Sequence, residues 1–177
     1  MNLYILRHAS AGTSRANPLL DVRRPLDKDG KQHCLHLAHV LNAMKIQFDL
    51  IVSSHLKRSL QTASMVGTET GYEAPILQSK ALAPTATLAD FQNLLQQCAA
   101  HENLLVVGHN PNITSFLGAL LVRPGAPPAQ VRLRKGSIAR LNLQRGPATL
   151  QWLLEPRTVR ALYATSTKSS RRKISRK

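Results

Sequence analysis

The sequence predicts an α/β protein of three layers, α/β/α, with a mostly parallel sheet and a C-terminal antiparallel hairpin. Three observations carry this. Residues 3–6 (LYIL), 48–52 (FDLIV) and 103–107 (NLLVV) are short apolar runs without helical gaps, the pattern of strands buried on both faces. The stretches between them repeat apolar residues at helical spacing, so strand and helix alternate. Near the C-terminus, residues 137–143 and 149–154 flank a Gly146-Pro147 turn and read as a hairpin.

The first run ends abruptly in Arg7-His8. Open parallel sheets bind ligands beyond the carboxyl ends of their strands, so this pair is either a phosphate site with a nucleophile in it or simply a polar strand end. Residues 9–28 form a long polar connection with Gly12, Pro18 and Pro25, and it carries Asp21, Arg23 and Arg24. Asp29 is expected to cap the next helix, residues 31–44, whose apolar face is Cys34, Leu37, Ala38, Leu41 and Met44. His33, His36 and His39 lie on this helix without a carboxylate or thiolate cluster and read as surface histidines, not metal ligands.

Ser53-Ser54-His55 follows the second run, and residues 56–67 form a helix packed through Leu56, Leu60, Ala63 and Val66. Arg58 falls in its first turn, where the helix dipole prefers an anion. A short strand is expected at 75–77, a loop at Leu82-Ala83-Pro84, and a helix at 88–98 with Leu88, Phe91, Leu94, Leu95 and Cys98 inward. After the third run comes Gly108-His109-Asn110-Pro111, with Asn110 expected as N-cap and Pro111 as first helical residue. His109 would then stand between a strand end and a helix N-terminus, a favourable position for an anion. Residues 123–130 form a Pro/Gly loop ahead of the hairpin.

At 177 residues the chain has room for one domain and a proper core. No apolar run reaches bilayer length and no secretory signal is visible, so no membrane contact and a cytoplasmic location are expected. Cys34 and Cys98 read as buried hydrophobes of a reducing compartment. Net charge is +15, and the last 21 residues hold eight cations and no acid, which leaves the body at +7. The expected division is a domain over residues 1–163 and a disordered basic tail over 164–177. Such a tail could contact anions or nucleic acid non-specifically. With seven aromatics and no nucleic-acid-reading motif, a dedicated nucleic-acid-binding protein is the weaker reading.

Arg7-His8, Arg58 and His109 thus gather at the strand ends of one parallel sheet: two guanidinium forks for a phosphoryl group and two imidazoles, one to attack and one to donate hydrogen bonds. Leu6-Arg7-His8-Ala9, then Ser53-Ser54 with Arg58, Gln61, Thr62 and Ala63, then Val107-Gly108-His109-Asn110-Pro111 resemble the histidine phosphatase superfamily, which includes phosphoglycerate mutases and acid phosphatases. The chain's short length, Asp21-x2-Arg24-Pro25-Leu26 and Leu82-x-Pro84 resemble its SixA-type phosphohistidine phosphatases. The resemblance covers about residues 1–160 and implies a phosphoglycerate mutase-like fold. It implies His8 as the nucleophile that becomes phosphorylated, Arg7 and Arg58 as phosphate ligands, and His109 as a ligand that stabilises the transition state. No metal or cofactor is expected, since the arginines supply the charge neutralisation that Mg²⁺ supplies elsewhere.

Ala9 stands where the wider superfamily usually has Gly. More consequentially, the acid that many members place after the second arginine has no evident counterpart, since Glu69, Glu73 and Asp90 lack an obvious claim. Asp21, held by Arg24, is either a pocket residue and proton donor or half of a loop salt bridge. A site without a dedicated acid suits phosphohistidine, which leaves as imidazole, better than an alkyl phosphate, which leaves as alkoxide. The expected substrate is therefore a phosphohistidine-containing protein. The alternative is a small phosphoester hydrolysed on the same fold; mutase activity and a non-catalytic binding module are disfavoured.

Overall fold

The computed structural model describes residues 1–174, with side chains through Ser166. Its order is β1 (Asn2–Arg7), α1 (Pro18–Val22), α2 (Lys28–Ala43), β2 (Leu50–Ser53), α3 (Lys57–Glu69), β3 (Leu77–Gln78), α4 (Leu88–Gln97), β4 (Asn103–Gly108), α5 (Asn112–Leu120), β5 (Ile138–Asn142), β6 (Thr149–Leu154) and α6 (Pro156–Ile174), with a single 3₁₀ turn at Lys80–Leu82. The expected strands, helices and hairpin all form.

The sheet runs β3-β2-β4-β1-β5-β6. The first four strands are parallel; β5 and β6 join antiparallel. Both faces are buried, which is why the strands read as continuous apolar runs. Leu3, Ile5, Val52, Leu104 and Val106 turn to the face that holds Phe91 of α4 and Ile113, Phe116 and Leu117 of α5. Tyr4, Leu6, Ile51, Leu105 and Val107 turn to the other, with Leu37 and Leu41 of α2, Ala63 and Val66 of α3, and Val159 of α6. β5 is covered on both sides too: Ile138 joins one cluster, Ala139 and Leu141 the other. Both cysteines are buried and free, as read.

Several details differ from the sequence reading, beginning with α1, a short helix inside the connection read at residues 9–28. The α2 N-cap is Asp27, not Asp29: its side chain accepts from Gly30 N, and its other oxygen holds Ser10 Oγ and Gly12 N. Asp27 wins because it can serve the helix and the chain leaving β1 at once. At α5, Asn110 is not the cap and Pro111 precedes the helix, across a cis Asn110–Pro111 bond. The Asn110 amide is engaged elsewhere, donating to Leu133 O and accepting from Thr114 Oγ1. Finally, α6 is helical to Ile174, so it passes through the boundary expected at Tyr163; residues 175–177 of the expected tail lie outside the described residues. Its first turns pack on α2, with Val159 fully buried and Tyr163 stacked on His36 at 4.0 Å.

The sheet register decides where the chemistry sits. Arg7 of β1 pairs with Gly108 of β4, and Val107 with Ser53 of β2. The chain leaving each strand, with His8, His109 and Ser54, therefore emerges along one edge.

Candidate active site

His8 follows β1 and is 5% exposed. Its backbone N–H continues the ladder to Gly108 O, and its ring lies 4.9 Å from that of His109, centroid to centroid. Two contacts fix its tautomer. Nδ1 lies 2.8 Å from Ala9 O, an acceptor only, so Nδ1 carries the proton. Arg58 Nε, a donor only, lies 3.3 Å from Nε2, so Nε2 presents a lone pair. Burial pushes the His8 pKa down to about 3, and the Arg58, Arg7 and Lys135 charges push the same way against the Ala9 bond. The imidazole is neutral at physiological pH.

His109 follows β4 and is 2% exposed. Burial, then the charges of His8 and Arg58, lower its pKa to about 2. Among the described residues neither of its ring nitrogens has a hydrogen-bond partner, nor does Arg7 Nε. These buried polar atoms converge on the strand-end edge, and buried polar groups are costly unless something satisfies them.

Arg58 sits in the first turn of α3, as expected, and is buried. Its unfavourable place on the dipole is offset by Asp21, whose backbone O and Oδ2 accept from the Arg58 terminal nitrogen at 3.0 and 3.1 Å. Asp21 Oδ1 accepts from Arg24 Nε at 2.9 Å, and Arg24 also donates to Ala11 O and Gly12 O. Asp21 and Arg24 do form a loop salt bridge, and the same carboxylate reaches the site through Arg58. The Arg15 backbone N–H above all, then Arg24 and Arg58, hold Asp21 well below the usual carboxylate range.

Residues 3–84 match the sequence profile of the histidine phosphatase superfamily, branch 1. An uncharacterised protein of Picosynechococcus sp. is 30% identical over 154 residues, 85% of this chain and 89% of that one. The solved structure of the protein histidine phosphatase SixA complexed with tungstate superposes with a TM-score of 0.77 at 25% identity, over 88% of this chain and 97% of that one. The chain belongs to the histidine phosphatase superfamily. The α-ribazole phosphatase of Shigella flexneri shares the fold, with a TM-score of 0.69 at 16% identity over 88% of this chain and 97% of that one. A phosphatase hydrolase is the activity class that follows.

The strand ends and the first turn of α3 bring together Arg7, His8, Arg58 and His109, but the segment just before β5 also builds this edge. Leu133 O accepts from both Arg7 and Asn110. Gly136 N–H lies 3.0 Å from Arg7 O and 3.1 Å from His8 O, tying down both carbonyls. Gly136 O is held in turn by His33 Nε2 at 2.8 Å. His33 is thus not the surface histidine expected; it is the inward member of the α2 trio, while His39 is exposed. No group of three or more His, Cys, Asp or Glu that could hold a metal occurs among the described residues. Thr62 is a further support: Oγ1 donates to Arg58 O and accepts from Ala9 N, joining α3 to the chain after His8. The one sequence signal for the 133–137 segment is a glycine immediately before a strand, consistent with a residue at positive φ.

Gly136 has φ +81°, and a Cβ there would overlap the His33 ring. Gly136→Ala is expected to lower stability by about 1–3 kcal/mol and to reduce kcat/KM, since the shifted turn carries the Arg7 and His8 carbonyls. Denaturant midpoints and initial rates read the two effects. Adding His33→Ala should recover part of the stability by removing the overlap but not the φ strain; no recovery would place the cost elsewhere.

Proposed function

We propose that this protein hydrolyses phosphohistidine carried on another protein, through a covalent phosphohistidine on its own His8. The observation that carries the reading is the fixed His8 tautomer: a neutral imidazole with its Nε2 lone pair beside the Arg58 guanidinium and a second histidine, within the field of the Arg7 charge. A phosphoryl group at this edge would take donors from Arg7 and Arg58, and His109 would donate one ring N–H to its oxygens. That the SixA structure, on the same fold, is complexed with tungstate, an oxyanion, supports an oxyanion-binding role for this fold.

In the first step His8 Nε2 forms a bond to phosphorus as the substrate's P–N bond breaks. The departing ring, protonated on its other nitrogen, leaves as neutral imidazole. His8 keeps its Nδ1 proton on Ala9 O, so the ring becomes cationic and Ala9 O stabilises that charge. In the second step water attacks phosphorus, His8 Nε2 takes back its electron pair, and the water's proton goes to phosphate or solvent. The arginines supply the charge neutralisation that phosphoryl transfer needs.

Asp21 is the carboxylate hydrogen-bonded to Arg58, and it is held ionised. It is therefore a poor proton donor; its role here is to aim Arg58. A site served by such a residue favours a leaving group that needs no acid, and imidazole is one while a sugar or glycerol alkoxide is not. An open groove of about 810 Å³, lined by Asn110, Thr114 and residues 128–132, begins one residue after His109 in the chain.

The test compares kcat/KM for phosphoramidate and phosphohistidine with that for glycerol phosphate, together with ³²P trapping in alkaline detergent, where phosphohistidine survives. The P–N substrates are expected to turn over at least about 100-fold faster, the lower end of what a missing general acid costs. Equal or reversed rates would return the small phosphoester reading.

A further inference from the structure

The connection between β1 and α2 carries an apolar surface that the fold leaves uncovered. α1, residues Pro18–Val22, has no buried residue. Leu19 is 77% exposed, Leu20 57% and Val22 39%. The other large exposed apolar side chains among the described residues (Leu35, Met44, Leu77, Leu150 and Leu162) are spread along other elements. Three in five consecutive residues is a concentration, and exposed apolar patches of this kind mark interaction sites.

The fourth side chain of interest in this helix points the other way. Asp21 turns to Arg58 and Arg24, and α1 is held to the body by these polar contacts. Arg58 in turn touches His8. The helix that carries the patch is therefore joined to the reacting atom through one side chain, Arg58. Its surroundings are basic. Arg15 and Arg23 flank the helix and are exposed, whereas the Asp21 carboxylate is engaged as above and that of Asp27 by Ser10, Gly12 and Gly30.

We infer that Leu19, Leu20 and Val22 form the docking surface for the phosphohistidine-bearing protein, an acidic partner whose apolar patch beside the phosphorylated histidine is edged by carboxylates. This rests on the function proposed above. The charge around the helix selects the partner's sign, and the leucines supply desolvated contact. A free phosphoramidate is too small to reach them while its phosphorus lies at His8. Docking also covers the helix that positions Arg58, so a seated partner holds the phosphate ligand in place.

The test uses the full chain and three probes: phosphoramidate, an acidic carrier domain charged on histidine, and a basic histone charged chemically on histidine. Leu19→Ser/Leu20→Ser alters exposed side chains only, so folding is not at risk. The variant is expected to lose roughly 10- to 100-fold in kcat/KM on the acidic carrier, mostly as raised KM, while phosphoramidate turnover stays within about twofold. Arg15→Glu/Arg23→Glu should weaken the acidic carrier and improve the histone. Unchanged carrier kinetics in the leucine variant would overturn the docking surface, as would an equal loss on phosphoramidate, which would make α1 only a support for Arg58. A wild-type dimer that the leucine variant dissociates would assign the patch to a second copy instead. Wild-type protein that hydrolyses none of the P–N probes would overturn the function itself, a result separate from any of these.

Discussion

Replacing His8 by glutamine is expected to remove turnover, by a factor on the order of 10⁴ or more, and to abolish phosphoenzyme labelling. The effect is large because no neighbour can substitute. Attack needs an unprotonated nitrogen aimed at phosphorus, and Arg7 and Arg58 offer only donors. His109 is neutral as well, but its ring is centred 4.9 Å from that of His8, so a phosphoryl group placed for one is misplaced for the other. Glutamine retains a polar group that Ala9 O can bond, so the thermal midpoint should change little. Labelling with ³²P-phosphoramidate in single-turnover mode, with circular dichroism on the same samples, separates lost chemistry from lost fold. Undiminished labelling in His8→Gln would move the nucleophile to another residue.

The second large effect is on stability in acid. His8 and His109 have folded pKa values of about 3 and about 2, against 6.5 for an ordinary histidine. Between those values the unfolded chain binds protons that the folded chain excludes, so stability rises with pH there. The contribution is complete above pH 6.5 and is lost as pH falls toward 3. Each histidine should cost roughly 1 kcal/mol per pH unit in that window, several kcal/mol for the pair by pH 4. Asp21 and Asp27 are held low and withdraw their support only below the ordinary carboxylate range. Denaturant midpoints from pH 7 to pH 4 should therefore fall steeply, and His109→Asn should flatten the slope by about half. The acid limb of activity should follow unfolding, not titration of His8. A stability profile level down to pH 4 would show that the pair is solvated or protonated in the folded state.

The residues that carry these two predictions were already legible in the sequence, and so was the sheet that presents them. Strand runs such as residues 3–6 and 103–107 announce themselves through continuous burial, and a helix such as α4 through its spacing of Leu88, Phe91 and Leu95. Both are local patterns. Arg7, His8, Arg58 and His109 were readable because each lies within a few residues of a strand end, and a parallel sheet gathers such ends without further information. The capping of α2 was missed by two residues because Asp27 and Asp29 are equivalent as local caps; the bonds to Ser10 and Gly12, across the chain leaving β1, decide between them.

What only the tertiary structure decided is how those four side chains are held. Arg58 meets its carboxylate 37 residues away, and His8 meets Arg58 across 50. His33, a surface residue by its neighbours in sequence, reaches a turn 103 residues away that anchors the carbonyls of Arg7 and His8. No periodicity encodes such pairs, since each depends on where two distant loops arrive after the sheet has formed. The sequence by itself determined which groups stand at the sheet edge. The packing of the β1–α2 connection and the segment before β5 decided their tautomer, their charge and the direction in which they point, because burial and long-range hydrogen bonds set those properties.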